Sequence, residues 1–233
     1  MFKDNSLFLW YTISMKKTLP NLNTGFLKLV GIIMMTLDHV GQLFFPTANW
    51  MHILGRIAFP LFAYCLVLGA LYTRNIKRYL GRLFLLALIS QPLYMLLLDK
   101  NLNTVFTLFC GLLLLQCIDN FQSYWWSIPA IFTLEFFIGM DYGFYGLLLI
   151  CLFYIFRNDS LLSFIFIALG MIVGSYDAHL QIQSQIFALL ALPFLYLPVK
   201  GDVKIKSVLF YLYYPGHLFL LLMTCLILGH PIH

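Results

Sequence analysis

Apolar stretches approaching the length of a bilayer crossing recur along this chain with only short polar breaks between them, which leaves few ways for it to fold. Nine can be marked, at residues 27–45, 53–72, 80–98, 104–118, 125–139, 142–156, 161–175, 183–197 and 208–228. A helix needs ~17–25 apolar residues to cross the hydrocarbon core, where every backbone polar group must find its partner within the protein. The pattern predicts an all-α fold, a polytopic transmembrane helical bundle of about nine spans. Its middle stretches are short, and the junction at 139–143 is the weakest boundary. Composition bears on the same point. With 62% hydrophobic and 10% charged residues, the chain lacks the polar side chains that coat a water-facing globule.

Lys and Arg in short loops are retained on the cytoplasmic side of a membrane, so their distribution orients the bundle. With the N-terminus cytoplasmic, the inner segments hold Lys3, Lys16, Lys17 and Lys28, then Arg74, Lys77, Arg78 and Arg82, then Arg157, then Lys200, Lys204 and Lys206. The outer loops hold Lys100, and Arg56 lies at the outer end of the second span. An odd number of spans places the C-terminal tail outside; an even number would place it inside. This scatter of basic residues is unlike the single basic face that nucleic acid requires, so no nucleic-acid partner is expected. Residues 1–23, whose apolar run at 7–13 is too short for a span, are expected to form an interfacial or poorly ordered leader, with Met1 or Met15 as the start. Residues 24–233 form one integral-membrane domain. Cys65, Cys110, Cys117, Cys151 and Cys225 sit in apolar runs without ligand spacing, so neither a metal nor a disulfide framework is expected.

An ionisable side chain at the bilayer centre costs about 2.5–3.5 kcal/mol on insertion scales, and each one therefore marks a candidate site. Asp38 and His39 stand in the first span, on faces turned ~100° apart, so each needs a partner on another helix. Arg56 is the expected partner of Asp38, either as part of a binding site or as a lock between two helices. Pro60 follows Phe59 four residues on from Arg56, removes the helical donor to the Arg56 carbonyl and predicts a kink beside it. Imidazole suits a general base at neutral pH, and two histidines lie well inside spans: His39, and His217 just after Pro215–Gly216. Either can serve as the base, or either can be a histidine satisfied within the core. Gln91, next to Pro92, adds a polar break in the third span.

At the cytoplasmic end, Arg74, Lys77, Arg78 and Arg82 crowd one helix start. They read as a topology signal and, because guanidinium groups bind phosphate bidentately, as a phosphate clamp.

Several runs resemble the TraX family of bacterial pilin acetylases. The specific part is Thr36-Leu37-Asp38-His39-Val40-Gly41 with Gly55-Arg56-Ile57-Ala58-Phe59-Pro60-Leu61-Phe62. Thr73-Arg74-Asn75, Lys77-Arg78-Tyr79, Ser90-Gln91-Pro92, Leu102-Asn103-Thr104, Asp141-Tyr142-Gly143-Phe144-Tyr145-Gly146 and Tyr213-Tyr214-Pro215-Gly216-His217-Leu218 follow in order. The resemblance implies a multi-pass protein of the bacterial inner membrane that moves acetyl from acetyl-CoA to the N-terminal amine of a pilin, or to another membrane-delivered amine. It implies Asp38, His39 and His217 as candidate catalytic residues, Arg56, Phe59, Pro60 and Gln91 on the substrate side, and Arg74 and Arg78 toward acetyl-CoA, where Lys77 and Arg82 join them as members of the same basic cluster. Two other classes of function use the same intramembrane charges: a small transporter or channel, and a non-enzymatic membrane assembly factor.

Overall fold

The computed structural model of the protein describes residues 20–98, 101–176, 182–197, 199, 203 and 207–230. Lys3, Lys16, Lys17, Lys100, Lys200, Lys204 and Lys206, most of the leader and the last three residues lie outside them. Asn21 lies within them: its backbone N–H donates to Tyr64 Oη at 3.2 Å and its side chain to the Phe194 carbonyl at 2.7 Å. Asn23 then caps the first helix, accepting from the Phe26 N–H at 3.0 Å.

The helices in chain order are α1 (Thr24–Phe44), α2 (Asn49–Gly55), α3 (Ala58–Tyr72), α4 (Ile76–Leu97), α5 (Thr104–Asp119), α6 (Phe121–Tyr124), α7 (Ser127–Ile138), α8 (Gly143–Ile155), α9 (Ser160–Val173), a 3₁₀ segment (Ser184–Ala191) running into α10 (Leu192–Tyr196), and α11 (Ser207–Leu228). Among the described residues, four helical stretches are long and apolar enough to cross a membrane: Thr24–Phe44, Asn49–Tyr72, Ile76–Leu97 and Val208–Leu228. The other five apolar stretches, Thr104–Asp119, Ser127–Ile138, Gly143–Ile155, Ser160–Val173 and Ser184–Tyr196, are shorter.

The second span departs from the straight reading of 53–72. It begins earlier, at Asn49, and breaks at Arg56–Ile57. Pro60 explains the position of the break. As the third residue of α3 it lies in a first turn, where no intrahelical N–H is required, so the helix restarts before the proline instead of bending at it. Pro92 and Pro215, by contrast, sit inside continuous helices.

α3 is the axis of the bundle. In the Asn49–Tyr72 span 72% of the most apolar stretch is buried, against 28–39% in the other three long helices. Its neighbours are α1, α5 and α8, while α4 packs on α5 and α11, and α9 packs on α8. Lipid offers these helices no hydrophobic drive to associate, so close fit and interhelical hydrogen bonds must hold them. Both are present. Gly31 leaves room for the Phe62 ring and Gly111 for Ile150, and Ser163 bonds Tyr196 at 2.6 Å. Large apolar side chains face outward on the periphery, with Phe136, Phe137 and Ile227 78–82% exposed, a surface suited to acyl chains and not to water.

Candidate functional site

A close approach joins α1 to α2 across the turn at 45–48. A Cβ placed on Gly55 would stand 2.4 Å from Asp38 Cβ and 2.5 Å from its Cγ, and one on Gly41 would stand 2.8 Å from Met51 Cβ. Two glycines thus let the helices meet nearly backbone to backbone. This brings His52, one turn before Gly55, alongside Asp38: His52 Nδ1 and Asp38 Oδ1 are 2.9 Å apart. Gln42 Nε2 donates to the other carboxylate oxygen at 3.2 Å. The expected Asp38–Arg56 pair is therefore replaced by an Asp38–His52 hydrogen bond.

His39, on the next face of α1, turns to the last helix. Its Nδ1 lies 2.9 Å from His217 Nε2, with the two ring planes 12° apart, an arrangement compatible with an N–H···N hydrogen bond between imidazoles. His217 Nδ1 in turn lies 3.1 Å from the Tyr213 carbonyl. A second link runs parallel. Thr36 donates its hydroxyl hydrogen to the Ile32 carbonyl at 2.8 Å, so the 2.7 Å contact with Tyr213 must be a donation from the tyrosine. α11 is thereby fastened to α1 at two levels, one of them a histidine pair.

Both imidazole systems border one polar cavity of about 310 Å³, lined among others by Asp38, His39, Gln42, His52, Arg56 and Asp141. The break at Arg56–Ile57 delivers the Arg56 guanidinium to this cavity. Its Nη1 donates to Gln185 at a long 3.5 Å, and its buried Nε has no hydrogen-bond partner among the described residues. Phe59 forms part of the wall and stacks on Tyr142 at 3.9 Å between centroids and 11° between planes, whereas Pro60 is buried outside the cavity lining. Asp141 accepts from the Thr104 hydroxyl. Gln91 is placed elsewhere: it donates to the Asn101 carbonyl and accepts from the Asn103 N–H, both at 2.9 Å, and so braces the loop that enters α5. The sequence reading does not single out the cavity residues His52, Gln42 and Tyr94, and it gives Thr104, Asp141 and Tyr142 only within resembling runs, with no role at the site. The signal for His52 is a histidine one turn before a glycine that faces a span carboxylate.

Arg74, Arg78 and Arg82 line an open cleft of about 520 Å³ at the other end of α4. Their spacing of four residues puts them on one side, and Lys77, rotated ~100° from Arg78, is outside that lining. From Arg78 to Leu98, at the cavity, α4 rises about 30 Å. Between the two lies a narrow apolar crevice of about 40 Å³, which shares Met35, Phe62 and Thr104 with the cavity and includes Leu83, next to Arg82, and Leu86, one turn past it. Among the described residues no group of three or more His, Cys, Asp or Glu side chains is placed to hold a metal ion.

The sequence matches the family described as TraX protein over residues 23–225, which takes in every helix that lines the cavity and the cleft. The chain belongs to the TraX family. The chain is also similar to a protein of Dichelobacter nodosus named "Probable fimbrial assembly protein FimC, serogroup H1", with 30% identity over 211 residues, spanning 82% of this chain and 83% of that protein. No solved structure matches this TraX-family chain.

Proposed function

We propose that this TraX-family protein is an acetyltransferase of the bacterial inner membrane, moving acetyl from acetyl-CoA to the amine of a membrane-delivered acceptor such as the N-terminus of a pilin. The five shorter apolar helices complete nine spans in this reading, with the N-terminus cytoplasmic. The observation that carries it is the alignment of three features along α4: a cleft of three arginines at one end, an apolar crevice, and a cavity with two imidazole systems and Arg56 at the other. Guanidinium groups suit the CoA phosphates. The apolar crevice marks the line along which a thioester arm would part the helices, and Arg56 Nε is a buried donor that a substrate oxygen can occupy. In the cavity, an imidazole takes the proton that the amine loses as it attacks the thioester. The family link to a fimbrial assembly protein supports a pilin-like acceptor.

The test is mass spectrometry of membrane-protein N-termini from cells with and without the gene, paired with purified protein in liposomes given isotopically labelled acetyl-CoA. Label appearing on one class of N-termini only when the gene is present is the expected result. Unaltered N-termini, with no label transferred in liposomes, would leave the non-enzymatic assembly role.

A further inference from the structure

The cavity presents two imidazole systems, and the hydrogen positions of both follow from what their partners can do. A carboxylate accepts and cannot donate, so the 2.9 Å contact with Asp38 requires the hydrogen on His52 Nδ1. Gln42 donates to the other oxygen, so Asp38 is engaged as an acceptor on both sides. His52 Nε2 is left with its lone pair. No described residue bonds it, and the side chain, 24% exposed, borders the cavity. In the other system the Tyr213 carbonyl only accepts, so His217 Nδ1 carries a hydrogen. The Nε2 of neutral His217 therefore accepts from His39 Nδ1, and His39 Nε2 is bare as well.

Two lone pairs thus face the cavity, and they differ in what a captured proton would meet. A proton on His52 makes an imidazolium 2.9 Å from a carboxylate. A proton on His39 makes one whose neighbour is a neutral imidazole, in a side chain buried to 7% exposure with no carboxylate within 4.0 Å among the described residues. Charge captured away from water needs a counter-charge, and only the first site has one in contact.

Resting on the acetyl-transfer reading above, we infer that His52 is the catalytic base, that Asp38 is its positioning residue, and that His39, held by His217, stays neutral and accepts a hydrogen bond from the incoming amine. The amine nitrogen bonds to the acetyl carbonyl carbon, and the carbon–sulfur bond breaks with its electron pair kept by sulfur. The proton shed by nitrogen goes to His52 Nε2 and then to the thiolate, so that amine and acetyl-CoA become amide and CoA thiol.

The experiment uses the full chain in liposomes, labelled acetyl-CoA, and as probe a membrane-spanning peptide with a free N-terminal amine. His52→Ala is expected to lose at least about a hundredfold in transfer rate while still binding acetyl-CoA. Added imidazoles should restore part of the rate, more so as their basicity rises, which a merely structural histidine would not show. Asp38→Asn should slow the wild type yet add little to the loss in His52→Ala, because it acts through His52. If His52→Ala does not accumulate in the membrane, diethyl pyrocarbonate labelling of the wild type decides: carbethoxylation of His52 should stop transfer. A His52→Ala protein within about threefold of wild type, rescue indifferent to basicity, or transfer surviving complete His52 labelling would each overturn the assignment while leaving acetyl transfer standing. A wild type that binds acetyl-CoA and transfers nothing overturns the acetyl-transfer reading, and this assignment with it.

Discussion

Replacing Gly55 with alanine adds one methyl group where α1 and α2 are closest. The new carbon would lie 2.4, 2.5 and 2.8 Å from Asp38 Cβ, Cγ and Oδ1, whereas unstrained carbon contacts sit at about 3.5–4.0 Å. The Asp38 side chain must withdraw by about 1 Å, or the helices must part by as much. Either displacement stretches the 2.9 Å bond to His52 beyond hydrogen-bonding range. Overpacking of this kind costs ~1–3 kcal/mol, and an interhelical hydrogen bond in a membrane contributes ~0.6–1.7 kcal/mol, so the expected destabilisation is roughly 2–5 kcal/mol. Thermal melting of the purified protein in one detergent reads the stability, and acetyl transfer per folded molecule reads the separation of Asp38 from His52. In an Asp38→Gly background, itself impaired, adding Gly55→Ala should lower the melting temperature little further, because the atoms that collide are gone. Wild-type melting and transfer in Gly55→Ala would refute the reasoning, as would an undiminished loss in the Asp38→Gly background, because the close approach would then not be what sets this pair.

Arg74→Gln with Arg78→Gln should weaken acetyl-CoA binding at least about tenfold, since each charge-assisted bond contributes ~1.5–3 kcal/mol; titration at several salt concentrations checks it, and unchanged binding returns these residues to a topological role. Gln91→Ala should cost about 1–3 kcal/mol by freeing the backbone groups of Asn101 and Asn103, seen as a lower melting temperature with the KM for the acceptor unchanged. A raised KM with unaltered melting would instead put the Gln91 amide on the substrate. Reporter fusions after Ala48 and after Tyr79 should report opposite sides, outer and cytoplasmic; reports from the same side would remove the orientation on which acetyl-CoA access depends.

The helical architecture was legible because apolar length is a local property: the nine marked stretches fall where the apolar helices stand, although four of these helical stretches reach crossing length. The break before Pro60 was legible too, since a missing N–H acts on the chain four residues back. Asp38, His39, Arg56 and His217 stood out because ionisable groups are costly in apolar surroundings. Their partners did not. Which faces meet depends on helix packing, so the contact of His39 with His217 across 178 positions leaves no trace in spacing. The pairing of Asp38 with His52 depends on two glycines on facing helices, whose effect appears only once the turn between them closes. His52 fell just outside the stretch read as the second span, so the cost argument was never applied to it. Gln91 stood out for the same polar reason as the cavity residues, but its partners are a loop backbone, which residue type alone does not distinguish from a ligand.

The bond between His39 and His217 also has a consequence for biogenesis. The two residues are 178 positions apart, and a ribosome adding roughly 5–20 residues per second needs about 10–35 seconds to travel from one to the other. During that interval the first helix is in the membrane while the Nδ1–H of His39 lacks its eventual acceptor. A nascent chain that stops before the last helix keeps that unmet donor, together with a Thr36 that has no Tyr213 to bind. The imidazole pair is therefore completed only on a chain that has been translated through its last helix, although every residue that lines the cavity has been made long before.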